Sequence, residues 1–141
     1  MLVLKQSAHI AAFGRLLIAV LFLLSGFGKI AAPAIMQGYI ASVGLPAPLL
    51  GLLIAIVVEI GGGILLVLGY QTRIVASVMA VFTIATALAF HNIFSDQDAL
   101  VHFLKNIAIT GGLLQVVAFG AGSFSIDGRR NSATPRSIAV A

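Results

Sequence analysis

Among the polar side chains of a largely apolar chain, six stand within or beside its long apolar runs and can move protons or offer hydrogen bonds: Lys29, Glu59, His91, His102, Lys105 and Asn106. His102, Lys105 and Asn106 stand at i, i+3 and i+4, so a helix would put them on one face. Imidazoles beside lysines suit an anionic substrate, or a quinone whose carbonyl oxygens need donors as they are reduced. On that chemistry Glu59, His91, His102 and Lys105 are the candidate catalytic groups. Lys29, His91, His102, Lys105 and Asn106 form the candidate ligand-binding set. Two imidazoles and a carboxylate also match a metal's donors, but two lysines close by repel a cation, and no metal is expected.

The elements that must carry these groups are set by composition. Hydrophobic residues make up 60% of the 141-residue chain and charged residues only 9%; mean hydropathy is +1.15. Soluble domains carry charge on about a quarter of their residues, so the bilayer is the expected surrounding. The net charge of +4 would suggest nucleic acid in a soluble protein, but these cations flank apolar runs, where membrane orientation explains them, and no nucleic acid partner is expected. There is no cysteine, so disulfides, thiolate metal sites and CxxC redox chemistry are excluded for this chain acting alone. Any redox function needs a bound cofactor or a partner.

Four apolar segments, at about 12–32, 49–69, 74–94 and 99–120, are long enough to cross a bilayer. They predict an all-α, antiparallel transmembrane four-helix bundle occupying residues 1–122, followed by a polar cytoplasmic tail, 123–141, whose turn-forming composition suggests loose order. The first span also has the outline of a cleaved leader ending at Ala32-Pro33-Ala34, but its length and Lys29 just before that site argue for retention. Between the first two spans, Ile35, Met36, Tyr39, Ile40 and Val43 recur at helical spacing after Pro33 and before Gly44 and Pro46. They predict a short amphipathic helix at the membrane interface. The tight turn GYQTR makes the second and third spans antiparallel neighbours.

Each span then offers one polar stripe: Arg15, Ile18, Phe22, Ser25 and Lys29 on the first; Gly51, Ala55, Glu59 and Gly63 on the second; Ala80, Thr83, Ala87 and His91 on the third. A carboxylate at mid-membrane needs a partner inside the bundle, and Lys29 is the first candidate, Lys105 the second. Such a pair can serve a polar ligand pocket, or do no more than fix helix register. Asp96 and Asp98 fall where the fourth helix starts, which assigns them to capping rather than catalysis.

The segments RLLIAVLFLLSGFGKI, YIASVGLPAPLL, VEIGGGILLVLGYQTR, FH and HFLKN, in this order, resemble the DoxX family of small membrane proteins over about residues 13–127. The resemblance implies a four-helix bacterial inner-membrane protein. Some members serve as the membrane subunit of thiosulfate:quinone oxidoreductase, others are linked to oxidative-stress redox complexes and many have no assigned activity, so the resemblance fixes architecture better than chemistry, with a quinone as one candidate cofactor and a soluble or membrane oxidoreductase as one candidate partner. The lack of cysteine sets this chain apart from any thiol-relay version. Three readings stand: a redox component binding a quinone or a small redox-active or anionic ligand in the outer half of the bundle; a non-catalytic scaffold or assembly partner; and a small-solute channel or carrier acting as a homo-oligomer.

Orientation follows from the basic residues. Lys5, Arg15, Arg73, Arg129, Arg130 and Arg136 all fall at one end of a four-span bundle, which should be cytoplasmic, with both termini inside and Asp96 and Asp98 outside. In intact cells, a cysteine placed at Ser95 should therefore react with an impermeant thiol reagent while one at Ser132 stays protected; the opposite labelling pattern inverts the topology.

Overall fold

The computed structural model describes residues 2–133, with side chains from residue 7 onward. Among these residues six helices follow in order: α1 (Leu2–Ala31), α2 (Pro33–Ser42), α3 (Pro48–Leu68), α4 (Thr72–Phe90), α5 (Gln97–Phe119) and α6 (Ile126–Ala133). Four of them, α1 from Ser7, α3, α4 and α5, are long and apolar enough to cross a membrane. Large apolar side chains such as Phe13, Leu24, Val57, Val81 and Phe119 point outward, as lipid-facing positions should.

Helices in lipid gain little from hiding apolar surface, so contact depends on how closely the backbones approach. Glycines provide that approach between α1 and α3. A Cβ on Gly26 would lie 2.7 Å from Ile60 Cδ1, and one on Gly63 would lie 2.8 Å from Leu23 Cγ. α3 packs on α1 and α4, and α4 packs along α5, whereas α1 and α5 meet only sparingly. The dry core of Ala19, Phe22, Leu66, Ala76, Met79, Ala80 and Leu113 fills the half of the bundle next to the α3–α4 turn. The opposite half is open.

That turn is clamped from both sides. The Arg15 guanidinium, buried inside α1, donates from Nη1 to the carbonyls of Leu66 (2.7 Å) and Val67 (3.3 Å), two of the orphan acceptors in the last turn of α3. Its Nη2 donates to the Phe124 carbonyl at 2.6 Å, fastening the segment after α5 to the same point. From the other side Asp127 caps α4. Its carboxylate accepts from Gln71 N (3.0 Å), Thr72 N (2.8 Å) and Thr72 Oγ1 (2.7 Å), while its own amide donates to the Gly69 carbonyl at 2.9 Å. Burial works against the charged form of Asp127, but the hydrogen bonds from Thr72 and Gln71 and the nearby Arg130 outweigh it and hold the carboxyl below its ordinary range.

Two expectations are corrected here. The stretch after Ser123 folds at least as far as Ala133: Ser125 Oγ accepts from the Gly128 amide (2.9 Å) and starts α6. Residues 134–141 lie outside the described part. The third span runs from Thr72 to Phe90 rather than over 74–94. It starts earlier because Asp127 caps it from a distant part of the chain. It ends earlier because Ile93 and Phe94, though apolar, belong to a turn in which Phe94 packs edge-on against Phe103, ring centroids 5.0 Å apart.

Gly69 is the point at which the clamp closes. Its φ of +65° is left-handed, and an added Cβ would press on Ser125 and lie 2.7 Å from Arg15 Nη1. Gly69→Ala should lower the unfolding free energy by roughly 2–4 kcal/mol, from the left-handed backbone and the crowding together, as read by unfolding in mixed micelles. Wild-type stability in that variant would show that Arg15 and Ser125 are held less tightly.

Candidate functional site

Glu59 sits within a single π-helical turn of α3, Val57–Gly61, bounded on both sides by regular α-helix. A row at four-residue spacing drifts by about 40° per step on a regular α-helix. The wider turn offsets that drift, so Ala55, Glu59 and Gly63 all face inward and are buried. Single π turns inside α-helices recur at functional sites.

The partner of Glu59 is Lys29, the first of the two candidates. Lys29 Nζ lies 2.9 Å from both Glu59 oxygens and 2.9 Å from Ser25 Oγ, one turn back on α1. These three acceptors use all three ammonium hydrogens. Lys29 therefore has no donor left for a ligand, and what this pair can offer is the remaining acceptor capacity of the carboxylate. Lys105, the second candidate, turns instead to His102, with 3.1 Å from its Nζ to His102 Nδ1. A protonated Lys105 makes Nδ1 the acceptor, which places the imidazole hydrogen on Nε2, where it can donate to a third group.

The connection between α4 and α5 brings its two ends together. His91, at the C-terminal end of α4, stacks on His102 with ring centroids 5.1 Å apart and planes 21° from parallel. Burial, then repulsion from His102 and Lys105, lowers the pKa of His91, so it stays neutral to lower pH than an ordinary imidazole. Asp96 is the N-cap of α5, its Oδ1 accepting from Asp98 N (2.8 Å) and Ala99 N (3.2 Å). Asp98 lies in the first turn, on the favourable side of the helix dipole.

Lys29, Glu59, His91, His102, Lys105 and Asn106 all border one cavity of about 540 Å³. Its walls come from α1, α3, α4 and α5, and α2 closes one side with Met36, Tyr39 and Ile40. Tyr39 stacks on Phe90 at 5.1 Å, which joins that helix to the end of α4. Apolar wall comes from residues such as Phe22, Ile54, Phe82 and Ile109, and polar wall also from Thr83 and Thr86. Both threonines are spent on helix carbonyls, Thr83 on Met79 and Thr86 on Thr83. His102 and Lys105 are exposed at the mouth, His91 and Asn106 half-buried, and Glu59 buried at the floor. No cluster of three or more metal-ligating side chains occurs among the described residues.

Arg15 and Asp127 lie outside the set of residues that the sequence marks as a site, and they hold the frame in which it sits. In the sequence Arg15 appears as a topology marker and as the first member of the polar stripe with Ile18, Phe22, Ser25 and Lys29, which is the sign that it faces the bundle. For Asp127 the local signal is Ser125 followed three residues later by Gly128, a helix start inside a stretch of tail-like composition.

Comparison with known proteins agrees with this architecture. The family model described as DoxX matches residues 10–92. The chain is 39% identical to the Escherichia coli (strain K12) inner membrane protein YqjF over 80% of its own length and 85% of the relative's. It is 34% identical to the inner membrane protein YphA of the same organism, over 82% and 86% of the two chains. No solved structure matches.

The ion pair is testable by a double substitution. Lys29→Met leaves a buried carboxylate without its cation and should cost about 3–5 kcal/mol, whereas adding Glu59→Gln should recover most of the loss. Simply additive effects on unfolding in detergent would mean that the two side chains act separately.

Proposed function

The chain belongs to the DoxX family, and from that premise we propose that it is a membrane redox component whose cavity takes a small, largely apolar ligand with carbonyl or anionic oxygens, a quinone being the ligand that fits best. One observation carries the reading: about 540 Å³ of space reached by all four membrane-length helices, with unspent donors at the mouth and a carboxylate at the floor. That volume is within the usual range for a small-molecule site, roughly 300–1,000 Å³. Aromatic and aliphatic walls suit a quinone ring, and Lys105, His102 Nε2 and the Asn106 amide are the donors that would hold its oxygens. When bound, a quinone would supply the two-electron, two-proton chemistry that a chain without cysteine lacks. The protein's role would be to orient the ring, exclude lipid, and offer hydrogen-bond donors at Lys105 and His102 with the neutral His91 imidazole stacked beside them. The electrons then come from an oxidoreductase partner. With both termini on the cytoplasmic side, the mouth exchanges protons with the outer aqueous phase.

A second reading, the non-catalytic scaffold, draws support from Lys29, which gives all its hydrogen bonds to Ser25 and Glu59 as a purely structural pair would.

Binding of ubiquinone-1 to detergent-purified protein, followed by calorimetry, separates the two. Lys105→Ala and His102→Ala should each weaken binding about tenfold or more, the loss expected for a hydrogen bond to a charged or polarised donor. Melting temperature should barely change, because both side chains are exposed. Unchanged affinity, or a loss traced only to unfolding, would remove the redox reading and leave the scaffold.

A further inference from the structure

A second cavity, an open groove of about 710 Å³, lies at the opposite end of the bundle, where α4 begins, α5 ends and α6 crosses. Its charged lining is Arg73, Arg130 and Asp127. Asp127 is committed to the α4 cap through three hydrogen bonds from Gln71 and Thr72. Arg130 faces the Tyr70 ring at 5.8 Å and also adds to the field around Asp127. Arg73 is exposed, and its guanidinium has no hydrogen bond or ion pair among the described residues. It lies along the backbone of Gly120, where a Cβ would stand 3.3 Å from its Nε, and the φ of +79° there keeps the position open for glycine. Two arginines against one carboxylate leave a single positive charge in the groove.

The rim on the bilayer side is apolar. Ile74 is 64% exposed and Phe119 is 78% exposed. Both belong to membrane-length helices, Ile74 in the first turn of α4 and Phe119 at the last position of α5, so the groove lies at the depth where hydrocarbon gives way to headgroups. A lining with one excess positive charge beside exposed apolar side chains at that depth matches an amphiphile with an anionic head.

We propose that this groove binds the phosphodiester headgroup of an anionic glycerophospholipid, with Arg73 as the principal contact, Arg130 as the second charge, and Ile74 and Phe119 lying against the acyl chains. One excess positive charge suits a headgroup carrying one negative charge and no amine, such as phosphatidylglycerol, over a zwitterionic one. The site is separate from the cavity at the other end and does not depend on its ligand.

Native mass spectrometry of the full chain, released from micelles containing equal phosphatidylglycerol and phosphatidylcholine of matched chains, reads the preference directly. The wild-type protein should retain phosphatidylglycerol over phosphatidylcholine by about fivefold, the factor expected for one basic side chain near an anionic surface. Arg73→Gln should bring the ratio close to one, and Arg73→Lys should keep some of it. Arg129→Gln, which removes the same charge from α6 outside the groove, should leave the ratio unchanged. Equal losses in Arg73→Gln and Arg129→Gln would reduce the effect to net charge and overturn the proposal. A preference that survives Arg73→Gln overturns it as well, as does binding of inorganic phosphate in the absence of any preference among lipids.

Discussion

Hydrocarbon does not solvate ions, and the contact between Lys29 and Glu59 is this bundle's answer to that constraint. For the two charges to meet, α1 and α3 must come close, which Gly26 and Gly63 permit and any larger side chain would oppose. α3 must also turn its carboxylate inward, which the π-helical turn achieves. Once the pair is formed, the relative height of α1 and α3 is fixed to within a hydrogen bond, and the cavity inherits its floor. The neighbouring Ser25 completes the ammonium's coordination, so the cation needs no water. The site is therefore built on a neutralised base, and its remaining polarity is gathered at the mouth.

At the other end backbone carbonyls take most of the load, with the Asp127 carboxylate adding a more distant counter-charge and Arg15 Nε left without a hydrogen-bond partner among the described residues. Arg15 is buried among carbonyls: two from the end of α3 and one from the segment leading into α6. Asp127 meets the amides that open α4. A cation at a helix C-terminus and an anion at a helix N-terminus each oppose the local dipole, and here they do so on adjacent sides of one turn. A short polar segment after the last span, which has little apolar surface to bury, is thereby tied into the fold.

The sequence revealed elements with periodic, local signals and concealed those that depend on distant partners. The four membrane-length helices and the short helix after Pro33 follow from runs of apolar residues and from Pro and Gly punctuation. Asp96 as a cap follows from its place just ahead of a helix. The Lys29–Glu59 pair was legible because a lone carboxylate at mid-membrane demands a cation and few cations were on offer. The juxtaposition of His91 with His102 was legible because a short connection keeps the helix ends it joins close together. The start of α4 at Thr72 was not, since its cap lies more than fifty residues further on at Asp127. Nor was the use of all three Lys29 hydrogens, which depends on the rotamers of Ser25 and Glu59. The π turn was not legible either, because a row at four-residue spacing such as Ala55, Glu59 and Gly63 drifts by only about 80° over two steps and also suits one face of a regular α-helix.

The bundle is packed in one half and hollow in the other, and this sets how the cavity can be reached. With Ala19, Leu66, Ala76, Met79 and Leu113 packed across the closed half, the cavity is a blind alley. What enters at the mouth leaves at the mouth, and passage through the protein would require dismantling its best-packed layer. The way to Glu59 therefore begins and ends at the same rim, and a substitution in the packed layer can change the bundle's stability without changing how that carboxylate is reached.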